Sequence, residues 1–151
     1  MIIDYWKKFS RYPGGKLVFS WCLGLFIPYS GSITPEVQQL EPGYAKVLMR
    51  DRKRLRNHLK SIHAAALMNF AELTSGLAFV TGISTDMQAI VTHFEMDYLK
   101  KGRGDLIAEA KVQPISDHTE KKCEVEAIIR DKTDDIVARG RATWFIRPKK
   151  A

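Results

Sequence analysis

The spacing of apolar residues changes period along this chain, and each period predicts a different kind of element. Residues 2–11 and 16–27 read as two short helices broken by Pro13-Gly14-Gly15, with Pro28 and Gly31 ending the second. "SITPEVQQLEPGYAKVLMR" then reads as two strands joined by a turn at Glu41-Pro42-Gly43. After a polar, basic connection, "DRKRLRNHLKSI", Leu67, Phe70, Ala71, Thr74 and Ala78 fall at helical spacing. They predict a helix from about residue 63 to residue 79, closed near Gly82. It is apolar nearly all round, which predicts a central, buried helix.

Beyond it the period becomes two. Ile90, Thr92, Phe94, Met96 and Tyr98 alternate with Val91, His93, Glu95 and Asp97. Leu106, Ala108, Ala110 and Val112 do the same, as do Cys123, Val125, Ala127 and Ile129, and then Ile136, Ala138, Ala142, Trp144 and Ile146. These predict four half-buried antiparallel strands, with turn signals at 101–104, 114–118 and 131–135. Two strands, one buried helix and four more strands make an α+β domain, a curved sheet wrapped round one helix.

Composition adds limits more than direction. A chain of 151 residues is long enough for one self-sufficient core. Cys22 and Cys123 are far apart, with no second Cys or His at ligand spacing; neither a disulfide framework nor a metal site is predicted, and a reducing, cytoplasmic setting follows. A net charge of +7 points to an anionic partner. Nucleic acid is disfavoured because the basic run lacks interleaved aromatics. The stretch "GGKLVFSWCLGLFIPYSG" follows Lys7, Lys8 and Arg11 and imitates a signal peptide. Its apolar run is too short to span a bilayer and no A-x-A site follows, so a packed or membrane-touching N-terminal helix is expected.

The candidate chemistry begins with a single charge. "HAAALMNFAELTSGLAFV" carries only Glu72, and an ionised carboxylate is costly to bury unless paired or hydrogen-bonded. Either Glu72 is a structural acid, held by Asn69, Thr74, Ser75 or a basic neighbour, or it faces a ligand cavity.

Asn57, His63 six residues later and Glu72 nine beyond resemble the Asn…His…Asp/Glu spacing of phenylacetate-type acyl-CoA thioesterases, which have the hot-dog fold. The ending "IVARGRATWFI" is similar to that group's last strand. The segment "RNHLKSIHAAALMNFAELTSGLAF" resembles an uncharacterised hot-dog family placed beside them. The resemblance covers roughly residues 32–147, dividing the chain into a helical extension, 1–31, and a thioesterase-like domain, 32–151. It implies a homodimer, or a dimer of dimers, with sites shared across the subunit interface. The substrate would be an acyl-CoA thioester; coenzyme A is then part of the substrate and no separate cofactor is expected.

On that reading Glu72 is base or nucleophile, His63 orients the thioester carbonyl or is simply an N-terminal residue of the helix, and Asn57 bonds the thioester or caps the loop before the helix. The amides of Ala64 and Ala65, at a helix N-terminus, stabilise the developing oxyanion. Arg54, Arg56 and Lys60, in a run with Arg50, Arg52 and Lys53, reach the coenzyme's phosphates. Lys100, Lys101 and Arg103 could add to that patch. Thr92 is the candidate for holding the attacking water. Two departures stand out: the thioesterases usually carry Gly-Gly where this chain has Ala64-Ala65, and the Ser or Thr expected on the strand after the helix is of uncertain register. A non-catalytic acyl-CoA or fatty-acyl binding protein is therefore the alternative.

Helix geometry places a condition on catalysis. Nine residues set Glu72 about 13 Å along the axis and about 180° round from His63. One helix cannot aim both at one thioester, but two antiparallel copies in a twofold dimer can.

Overall fold

In the computed structural model, which describes residues 2–116 and 118–149, helix α4 (Ala64–Thr81) contacts every strand of the sheet. Phe70, Ala71, Ala78 and Phe79 are fully buried along it, with Leu67, Leu73 and Leu77 nearly so. Burial on nearly all sides is what the missing polar face demanded. Even the buried hydroxyls stay satisfied: Thr74 Oγ1 donates to Phe70 O at 2.7 Å, one turn back.

The strands are β1 (Glu36–Glu41), β2 (Tyr44–Met49), β3 (Met87–Tyr98), β4 (Leu106–Lys111), β5 (Lys121–Arg130) and β6 (Ile136–Pro148). They form one antiparallel sheet in the order β1-β2-β4-β5-β6-β3. Gly43, at φ +78°, closes the β1–β2 turn, where a Cβ would also meet Val112 O. Of the turn signal at 114–118, Asp117 lies outside the described residues; Ile115 beside it bridges to Ile83.

The two sheet edges differ. The N-terminal helices α1 (Ile2–Phe9) and α2 (Gly15–Phe26) pack through an edge-to-face contact between Trp6 and Phe19. Together they cover β1: Ser20 Oγ accepts from Val37 N at 2.8 Å, and Lys16 Nζ donates to Gln38 O at 2.8 Å. α2 ends just before Pro28, as the sequence predicts, but Pro28 does not stop the helical course. It opens a further turn, α3 (Pro28–Gly31), at the position where its missing N–H is not needed. At the opposite edge, β3 has no strand partner on its outer side among the described residues.

The face assignment of β3 needs correction. Val91 pairs with Trp144 and His93 with Thr143, so Thr92 is the extra residue of a bulge. The alternation changes phase there: Ala89 and Val91 pack against the core before it, Phe94 and Met96 after it, while Ile90 and Thr92 are exposed.

α4 crosses β6 closely at Gly140, where a Cβ would lie 2.7 Å from Ala71 Cβ and 2.9 Å from both Met96 Sδ and Phe94 Cζ. Gly140→Val should therefore overpack the core by ~1–3 kcal/mol and lower Tm by about 2–12 °C, measurable by calorimetry.

Candidate active site

The start of α4 is held by its own cap. His63 is the N-cap residue, and its Nδ1 accepts from Ala65 N at 3.1 Å. The amides of Ala66 and Leu67 reach His63 O at 2.9 and 3.1 Å. Ala64 N–H is the one leading donor with no acceptor among the described residues. The pair of amides expected from Ala64 and Ala65 is thus reduced to one, because the imidazole occupies the other. His63, Ala64 and Ala65 are all exposed in the single chain. Tyr98 ties this turn to β3, its hydroxyl donating to Ala64 O at 3.2 Å.

Asn57 works in the preceding turn. Its Oδ1 accepts from Leu59 N at 2.9 Å, Ser61 N at 3.3 Å and Ser61 Oγ at 3.2 Å. Of its two expected roles, bonding a thioester or holding the loop before the helix, the second is what these contacts accomplish. Lys60 sits at the tip of the same turn with φ +57° and an exposed side chain. Arg56 grips Asp51 through two contacts, at 2.7 and 3.0 Å, and so is already engaged. Arg50 pairs with Glu36 and Lys100 with Asp131 and Asp135. Arg54 lines a cleft of about 210 Å³ with His63, Ala65, Asn69 and Tyr29, beside the helix start. Lys101 borders a second cleft, with Ala64. Thr92 lines none of these clefts; its hydroxyl donates to Thr143 O at 3.1 Å across the bulge.

Glu72 lies on a different cavity. About 680 Å³ in volume, this one runs between the second half of α4 (Leu73, Leu77, Val80), Met87 and Trp144 of the sheet, and Phe26 and Ile27 of the N-terminal helices. Among the described residues no hydrogen bond or ion pair reaches the Glu72 carboxylate. Each proposed structural partner is engaged elsewhere: Asn69 Nδ2 donates to Tyr29 O, Thr74 to Phe70 O, and Ser75 Oγ to the backbone carbonyl of Glu72. Burial alone pushes the carboxyl above the ordinary range, and no cation among the described residues pulls it back.

Ala65, Met68, Glu72, Gly76 and Val80, at helical spacing, form the least-covered stripe of α4. Leu73 lines this cavity, whereas Phe70 is fully buried and Met68 is on the open stripe. Trp144 is a lining residue that sequence alone did not assign to a site. It stacks on Phe79 at 5.5 Å, and its Nε1 is buried without an acceptor among the described residues.

A family model for a domain of unknown function, DUF4442, matches residues 15–146. The chain belongs to the DUF4442 family. The match takes in α2 as well as the sheet and α4, so this helix is part of the family's domain. No curated protein matches the chain. Among solved structures, a structural-genomics protein is 28% identical with a TM-score of 0.85, covering 98% of this chain and 99% of its own. A protein of unknown function from Pseudomonas aeruginosa, named a probable thioesterase, is 23% identical with a TM-score of 0.75, covering 91% and 97%. A thioesterase from Haemophilus influenzae is 13% identical with a TM-score of 0.70, covering 80% and 82%. These likenesses establish the fold of this DUF4442 member as the thioesterase hot-dog fold, the α+β class its sequence predicts.

Proposed function

We propose that this DUF4442 protein is an acyl-CoA thioesterase whose site is completed by two protomers. The observation that carries the reading is Glu72: a largely desolvated carboxylate with no partner among the described residues, on the wall of a mostly apolar cavity. The thioesterase names of the fold relatives favour the same chemistry. Thioester hydrolysis needs a carboxylate to attack or to activate water, and a donor for the developing oxyanion. Glu72 supplies the first and the Ala64 N–H the second. Glu72 lines one cavity and the helix start borders other clefts, so a second protomer is what would bring the two functions together.

Two surfaces suit that pairing. The free edge of β3 can extend its sheet through a symmetry mate, and the open stripe of α4 around Glu72 would be covered by the same approach. In this arrangement Arg54 and Lys101, flanking the helix start, are the cations available to a coenzyme's phosphates. The setting proposed is cytoplasmic.

Hydrolysis of a panel of acyl-CoAs tests the reading. The rate should rise with pH through a titration above the ordinary carboxyl range, since Glu72 must be ionised to act and burial raises its pKa. Binding of acyl-CoA without turnover at any pH would instead favour the non-catalytic binding protein, a reading supported by the capped Ala65 amide.

A further inference from the structure

α2 is apolar on the side facing away from the protein as well as on the side it packs. Phe19, Ser20 and Leu23 are buried, whereas Leu17, Val18, Trp21 and Leu25 are 56, 46, 66 and 61% exposed. Phe26 and Tyr29 continue this surface at 87 and 76%. No charged residue occurs between Lys16 and Glu36. Apolar exposure on this scale marks a face that something covers. A helix of 12 residues is about 18 Å long, too short to cross a hydrocarbon core of about 30 Å.

The flanks indicate what covers it. Arg52 lines a groove with Leu17, Trp21 and Leu25, and Arg54 shares a cleft with Tyr29. Lys8 and Arg11 are exposed just ahead of α2. The neighbouring ion pairs are Arg50 with Glu36 and Arg56 with Asp51, which leaves Arg52 and Arg54 unpaired among the described residues. A second copy docked twofold by this face would set one basic rim against another. An anionic lipid surface answers both features, taking the apolar side chains into the headgroup boundary and the cations onto its phosphates.

We propose that the exposed face of α2, with Arg52 and Arg54 beside it, docks onto anionic lipid bilayers, Trp21 and Leu25 entering the interface. Phe26 and Ile27 belong both to this surface and to the wall of the Glu72 cavity, so docking places the cavity beside the lipid.

Vesicle flotation of the full chain tests this, using phosphatidylcholine alone and phosphatidylcholine with one-third phosphatidylglycerol. The wild type should float with the anionic vesicles at least tenfold more than with the neutral ones. Trp21→Glu with Leu25→Glu should lower that binding tenfold or more, and Arg52→Glu with Arg54→Glu should remove the anionic preference. Trp21, Leu25 and Arg54 are exposed and Arg52 is half-buried, and unchanged circular dichroism and melting would show that the variants fold. Equal binding to both vesicles, no binding, or binding indifferent to Trp21→Glu with Leu25→Glu would overturn the proposal. So would a lipid-free oligomer that this pair of substitutions breaks down while vesicles bind nothing, because a second copy would then be the occupant. Flotation is read without substrate, so its failure is separable from failure of the thioesterase reading.

Discussion

Replacing Ala64 with proline should cut kcat for acyl-CoA hydrolysis about 10²–10³-fold while leaving the protein folded. The substitution removes one hydrogen-bond donor and little else. Ala64 is the first residue of α4, where proline is well tolerated because no intrahelical bond uses that N–H. His63 ahead of it already has φ −64° and ψ 140°, the extended conformation that a following proline requires. Ala65, Ala66 and Leu67 keep their acceptors on His63. A drop in kcat at unchanged Tm, measured by steady-state kinetics and calorimetry, would mark that amide as the oxyanion donor. Undiminished kcat would remove the helix start from the mechanism.

Glu72→Gln should have the other large effect, and its two readouts should move in opposite directions. Loss of the base or nucleophile lowers kcat by about 10²–10⁴-fold. Stability should rise at neutral pH. Burial raises the pKa of Glu72, so the folded state holds its proton more tightly than the unfolded chain does. Stability from this group is therefore present at low pH and is lost as pH climbs from the ordinary carboxyl value through the raised one. Glutamine, neutral throughout, abolishes that loss. Were Glu72 a structural acid with a hidden cation, glutamine would lower Tm instead.

α4 was legible in the sequence because its whole circumference is apolar, and a helix of that kind has nowhere to go but the centre. Glu72 was legible for the same reason, as the one residue breaking the pattern. The phase of β3 was not. Thr92 alternates properly with its sequence neighbours, and the bulge that turns it outward is set by pairing with β6, some 50 residues away. Arg54 and Arg56 look equivalent in the basic run. Only folding brings Asp51 against Arg56, with Gly104 N donating to that carboxylate at 2.9 Å, and leaves Arg54 at the cleft. Alternation showed that Trp144 points inward, but its place on the cavity wall depends on how α4 and the N-terminal helices close round it. His63 as a cap for its own helix escaped notice because histidine is not among the side chains usually expected there.

The sharing of one site between two protomers is tested most directly by a purified heterodimer, one protomer carrying Glu72→Gln and the other Ala64→Pro, each with a different affinity tag. If Glu72 of one copy serves the helix start of the other, this heterodimer keeps one intact site and shows about half the wild-type kcat per dimer, while both homodimeric variants stay near background. A heterodimer as inactive as its parents would contradict a site shared between copies.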